Sequence, residues 1–183
     1  MARYNNLIRS IIFLYLGTLP STFAAQTDIS AAIADDIGCE IRVPVSLIFT
    51  PQRTSAFQGA PAAYEIKPLR AALECAGKTR ELVPKLSIEG NTPYETDTVF
   101  LNGEPNGVGF MLRLSDGSSP SLSDFYSPEK AIKRGIALPL SPLNIANQHH
   151  TEEVFWVGLV GPVQDNVLPG QFFSTLTFNF LFQ

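Results

Sequence analysis

The final stretch of the chain, residues 172–183, alternates in a way that few folds accommodate. Leu176, Phe178, Phe180 and Phe182 occupy the even positions, while Thr175, Thr177 and Asn179 occupy the odd ones, with Leu181 the exception. A repeat of two means a β-strand with one face in an apolar core and the other toward water. The alternation continues to the last residues, so no later segment is expected to pair with this strand. An unpaired edge backed by large apolar side chains is an aggregation hazard that must be covered. Such a strand needs a paired neighbour on both sides, or protection of its exposed edge.

The rest of the chain supports an all-β fold. The 183 residues include 14 Pro and 13 Gly, a density suited to short strands joined by turns. Odd positions from Ile37 through Cys39, Ile41, Val43 and Val45 are apolar, which predicts a half-buried strand cut by Pro44. Leu69, Ala71, Leu73 and Cys75 give a second strand over residues 67–75. Further strands are predicted at residues 82–88, 99–101, 108–114, 136–140 and 154–160. Turn residues separate them at Gly90-Asn91-Thr92-Pro93, Asn102-Gly103 and Asp116-Gly117. Asn102-Gly103 predicts a hairpin with a long loop. Residues 124–134 have room for a helical turn, which Pro128 and Gly135 confine. Even strand spacing favours a sandwich.

The first 24 residues read as a secretory signal. Arg3 and Arg9 precede a short apolar run from Ile11 to Leu16, Pro20 ends it, and Thr22-Phe23-Ala24 suits cleavage after Ala24. The run is far below the roughly 20 residues that cross a bilayer as a helix. Cleavage would leave 183 − 24 = 159 residues. It would also change the formal charge from −4 to −6, since two Arg and no acid are removed. An acidic chain whose longest basic run is Lys133-Arg134 is not expected to bind nucleic acid. In an oxidising compartment the two cysteines, Cys39 and Cys75, are most simply one disulfide closing 75 − 39 = 36 residue steps.

Candidate chemistry is sparse. His149-His150 with Glu152-Glu153 lacks a placed third or fourth metal ligand, and neither metal nor cofactor is expected. Asp35 and Asp36, adjacent on a strand, would face opposite ways, so a solvated role is expected rather than acid–base work. No Gly-x-Ser-x-Gly elbow occurs and no histidine is placed to activate a serine, so an enzyme is not expected. Trp156 reads as core or groove lining rather than as a sugar platform.

Several segments in order resemble the fimbrial (pilin) subunits of the chaperone–usher pathway of Gram-negative bacteria. These are the signal, Gly38-Cys39-Glu40-Ile41, Leu73-Glu74-Cys75, Gly107-Val108-Gly109-Phe110-Met111-Leu112 followed by Ser115-Asp116-Gly117, residues 155–160, residues 167–172 and the alternating terminal strand. The resemblance covers nearly all of the chain after residue 24. It implies an incomplete immunoglobulin-like β-sandwich lacking its last strand, with one disulfide. A periplasmic pilus chaperone would lend the missing strand, an outer-membrane usher would receive the complex, and another fimbrial subunit would then replace the strand by β-strand addition.

On that reading residues 1–24 are the signal peptide, 25–38 the donor-strand extension and 39–183 the pilin domain. Ile29, Ala31 and Ile33 are the donor side chains, and Leu176, Phe178, Phe180 and Phe182 form the groove strand that the chaperone meets. The extension is shorter than that of a major shaft subunit and has no glycine at the donor's small-pocket position, which points to a minor subunit. The implied role is structural, in a surface fimbrium outside the cell that contributes to adhesion. The alternative is a single-domain fimbrial adhesin that binds a host glycan or matrix protein itself.

Overall fold

A computed structural model of the chain describes residues 25–33 and 38–182. Residues 1–24, read as a secretory signal, and Asp35, Asp36 and Ile37 lie outside the described residues. The fold is all-β, with one short helix, two five-stranded sheets and one disulfide.

Ten strands follow in chain order: β1 (Ala25–Ile33), β2 (Cys39–Arg42), β3 (Ser46–Phe49), β4 (Ala62–Cys75), β5 (Pro84–Glu89), β6 (Val99–Phe100), β7 (Gly109–Leu114), β8 (Leu138–Pro139), β9 (His150–Gly161) and β10 (Phe172–Phe182). One sheet runs β3-β1-β10-β5-β8, the other β2-β4-β9-β7-β6. The inward faces form one core containing Phe49, Phe110, Phe155, Phe178 and Phe180. Rings from the two sheets interlock there: Phe155 meets Phe178 edge-on at 5.7 Å between centroids, and Phe49 meets Phe110 at 5.2 Å. Such aromatic pairs add roughly 1 kcal/mol each beyond area burial.

The parities read from sequence locate this core. Leu69, Ala71, Leu73 and Cys75 of β4 are all buried, as are Phe155, Val157 and Leu159 of β9. Pro68 is tolerated inside long β4 because β2 covers only Ala72–Cys75, leaving that edge of β4 open near the proline. Cys39 and Cys75 are directly opposed in the β2–β4 ladder, with Cα atoms 4.0 Å apart, and they are bonded. Val99 pairs with Met111 and Phe100 with Phe110, so the hairpin read at Asn102-Gly103 forms, with Gly103 in the left-handed region.

Four expectations need correction. The strand read through residue 45 breaks at Pro44: Val45 is 78% exposed, and a separate strand, β3, starts at Ser46. The strand read at residues 136–140 shrinks to Leu138–Pro139, since Ile136 stays exposed and its N–H turns back to the Lys133 carbonyl. The helical turn is α1 (Leu122–Phe125), which starts earlier than expected because the Ser121 hydroxyl accepts from the Asp124 N–H.

The fourth correction concerns the terminal strand. Its outer edge was expected to be unpaired within this chain, leaving the sandwich short of its last strand. Instead β1 lies along it in parallel over nine residues, from Ala25 opposite Phe172 to Ile33 opposite Phe180. Strand β5 covers the other edge, from Thr177 opposite Glu89 to Phe182 opposite Pro84. The chain's own backbone flanks β10 on both sides. The sequence reading sought a closing strand only after β10, whereas the strand present comes from the other end of the chain.

Candidate functional site: the slot between β3 and β10

The slot that β1 occupies has two walls. One is β10, whose even residues from Ser174 to Phe182 point inward and are buried. The other is β3, whose Phe49 is buried against Phe110. Strand β1 runs antiparallel to β3 from Ala25 opposite Phe49 to Asp28 opposite Ser46, and the Ile29 N–H donates to the Val45 carbonyl at 3.0 Å. The described ladder with β3 stops there, while the ladder with β10 continues to Ile33. Hydrogen bonding on both edges is therefore confined to the first half of β1.

The sequence-predicted residues assemble as follows. Leu176, Phe178 and Phe180 are fully buried and Phe182 nearly so, and Phe178 stacks with Phe180 at 6.5 Å. Ile29 is buried beside Leu176 in register and belongs to the main core. Ala31 and Ile33 stand opposite Phe178 and Phe180, on the strand parity of Ile29. The three expected donor positions and three of the four groove positions thus come together, Phe182 lying beyond the end of β1. The Cys39–Cys75 disulfide sits in the other sheet.

Two residues of the slot escaped the sequence reading. Thr27 and Ser174 are register partners, both fully buried, and neither hydroxyl has a hydrogen-bond partner among the described residues. The available signal was parity: Ser174 is the one polar residue on the inward face of an otherwise apolar strand, and Thr27 shares the parity of Ile29. Strand β3 was missed as a wall because Ser46-Leu47-Ile48-Phe49 is too short to show a period.

On the outward face, Gln26 lies opposite both Ile48 and Phe173 in register, and these two apolar side chains are exposed. With Asp28 and Gln171 they bound a shallow cleft over the inserted strand.

The other residues considered earlier have local structural partners. The half-buried Trp156 projects from the outer face of β9, away from the main core and the slot, and packs against a second apolar cluster that includes Met111 and Phe125; its indole N–H donates to the Ser118 carbonyl at 3.1 Å. Arg113 donates to the Asp124 carbonyl at 2.9 Å and lies over the Phe125 ring. These contacts hold the segment around α1 onto the sheet. The polar cleft of about 300 Å³ between Trp156, Arg113, Asp116 and Lys130 lies over them. The Asp116 carboxyl is held below its ordinary range by hydrogen bonds from Ser118, its hydroxyl first and its backbone N–H second. His149 is buried in a left-handed conformation, with its ring Nε2 2.9 Å from the Arg80 carbonyl, while His150 is exposed. Among the described residues no group of three or more metal-ligating side chains comes together.

A comparison with protein-family models finds no match, and a search of curated proteins finds none either.

Proposed function

We propose that the chain is a structural subunit, and a minor one, of an adhesive surface fimbria, built by strand donation between subunits. The observation that carries this reading is the slot between β3 and β10. A strand from the opposite end of the chain completes the sheet there, parallel to its neighbour. The sheet is finished by a piece that is not consecutive with it, and a piece of another molecule with the same alternation would make the same ladder. On this reading the two sheets are an immunoglobulin-like sandwich whose completing strand is exchangeable.

The resemblance of the Cys39 and Cys75 segments, the Gly107–Leu112 segment and the terminal strand to chaperone–usher pilins supplies the setting. That setting is export under residues 1–24, capture by a periplasmic chaperone, passage through an outer-membrane usher, and incorporation beside other subunits at the cell surface. The role is structural rather than catalytic, and it requires neither cofactor nor nucleic acid. The adhesin reading would place a host glycan at the Trp156 cleft. It draws less support, because the indole N–H and the Arg113 guanidinium are already engaged by backbone carbonyls.

Co-purification tests the proposal. The full chain, expressed in a Gram-negative periplasm with a pilus chaperone, is expected to emerge as a one-to-one complex. A chain that emerges alone, at the same yield with and without the chaperone, contradicts the reading.

A further inference from the structure

The resident strand fits its slot imperfectly, and the place of the misfit is specific. Thr27 and Ser174 face each other in the β1–β10 register, both at 0% exposure, with neither hydroxyl hydrogen-bonded among the described residues. In water each hydroxyl would be solvated. A buried polar group without a partner is a net penalty, and two at one register position penalise that pairing specifically. The neighbouring pair, Ile29 opposite Leu176, is apolar on both sides and buried. The ladder is thus well matched at one inward position and mismatched at the next.

We propose that this mismatch makes Ala25–Ile33 a displaceable plug, and that the occupant the slot selects is a strand from a different protein. That strand would carry an apolar residue in place of Thr27. This rests on the strand-donation reading above. A second copy of this chain brings its own Thr27 to Ser174 and repeats both unsatisfied hydroxyls, so exchange between identical copies gains nothing at that position. A foreign strand with valine there removes one unsatisfied hydroxyl and keeps the rest of the apolar row. The pairing rule therefore favours a partner of another sequence over a homopolymer, and the specificity residues are Thr27 and Ser174. The plug also has an advantage of its own: tethered to the slot, it competes at an effective concentration on the order of millimolar. A free strand identical to it is then excluded at ordinary concentrations, and only a better-matched strand enters.

The test uses the chain from residue 25 onward and two fluorescent nine-residue peptides, one with the sequence of residues 25–33 and one with the Thr27→Val change. The valine peptide is expected to bind at concentrations roughly ten- to a hundred-fold lower than the threonine peptide, the range set by relieving one buried hydroxyl. Placing Thr27→Val in the chain itself strengthens the plug and is expected to raise the valine-peptide concentration needed by a similar factor. A deletion variant lacking residues 25–33 serves as the open reference. Equal binding of the two peptides to the intact chain overturns the specificity inference. Binding of peptide by the deletion variant, with none by the intact chain, makes the plug a permanent strand and overturns the inference, while the slot still accepts strands from outside. If neither protein binds either peptide, both the inference and the strand-donation reading fail.

Discussion

Phe178 illustrates how single residues connect the slot to the core. It is fully buried, edge-on to Phe155 of the opposite sheet, stacked on Phe180 of its own strand, and beside Ala31 of β1 in register. Whatever fills the slot therefore helps to seal the main core. Tyr94 ties the β6–β7 loop down. Its hydroxyl donates to the Val108 carbonyl at 2.6 Å and accepts from the Gly107 N–H at 3.1 Å. Burial raises its pKa above the ordinary tyrosine value, against the opposing effect of the backbone hydrogen bonds around Asn106, Gly107 and Val108. A pKa higher in the folded state than in the unfolded one means that the folded state keeps its proton longer. The contribution is fully present below about pH 10, the unfolded value, and is lost as pH rises through the folded value. Thermal melts between neutral pH and pH 11 should therefore show stability falling above about pH 10. Tyr94→Phe should flatten part of that fall, while lowering stability at neutral pH by about 1 kcal/mol through the lost hydrogen bonds.

Among the elements, strands with long alternation could be read from the sequence and short ones could not. The inward row of β4, from Leu69 to Cys75, and the even row of β10, from Leu176 to Phe182, follow from spacing alone because three or more apolar residues repeat with a period of two. Strand β3, with four residues, and β8, with two, offer no period, and their places depend on which neighbours they meet. The insertion of β1 was illegible for a different reason. Its inward parity, Ile29 with Ala31 and Ile33, can be read, but nothing local says whether the partner strand belongs to the same molecule. The disulfide pairing was legible because only two cysteines exist, and the structure adds their direct opposition across β2 and β4. The bond closes 36 residue steps that span β2, β3 and all of β4, which constrains the unfolded chain by about 4 kcal/mol in the chain-entropy model. The double change Cys39→Ala, Cys75→Ala should lower unfolding free energy by about that amount in denaturant titrations. The midpoint should fall while the slope rises, because the unbridged chain unfolds to a more extended state and exposes more surface.

At the scale of the whole molecule, the protein is a closed β-sandwich whose closure depends on one strand taken from outside the sequential order of its sheet. That strand is fully paired on one side and half paired on the other, and it meets its neighbour with two buried hydroxyls unsatisfied. Its removal would open a row of apolar side chains and a free backbone edge, the surface that strand addition uses. A lock across the slot tests this most directly. Asp28 and Thr175 are register partners on the outward face, so the double variant Asp28→Cys, Thr175→Cys places two thiols across the β1–β10 pair. Oxidised in the periplasm, the bonded variant should fail to form the chaperone complex, and the two single variants should form it normally. A bonded double variant that still recovers chaperone in a one-to-one complex would contradict an exchangeable strand between β3 and β10.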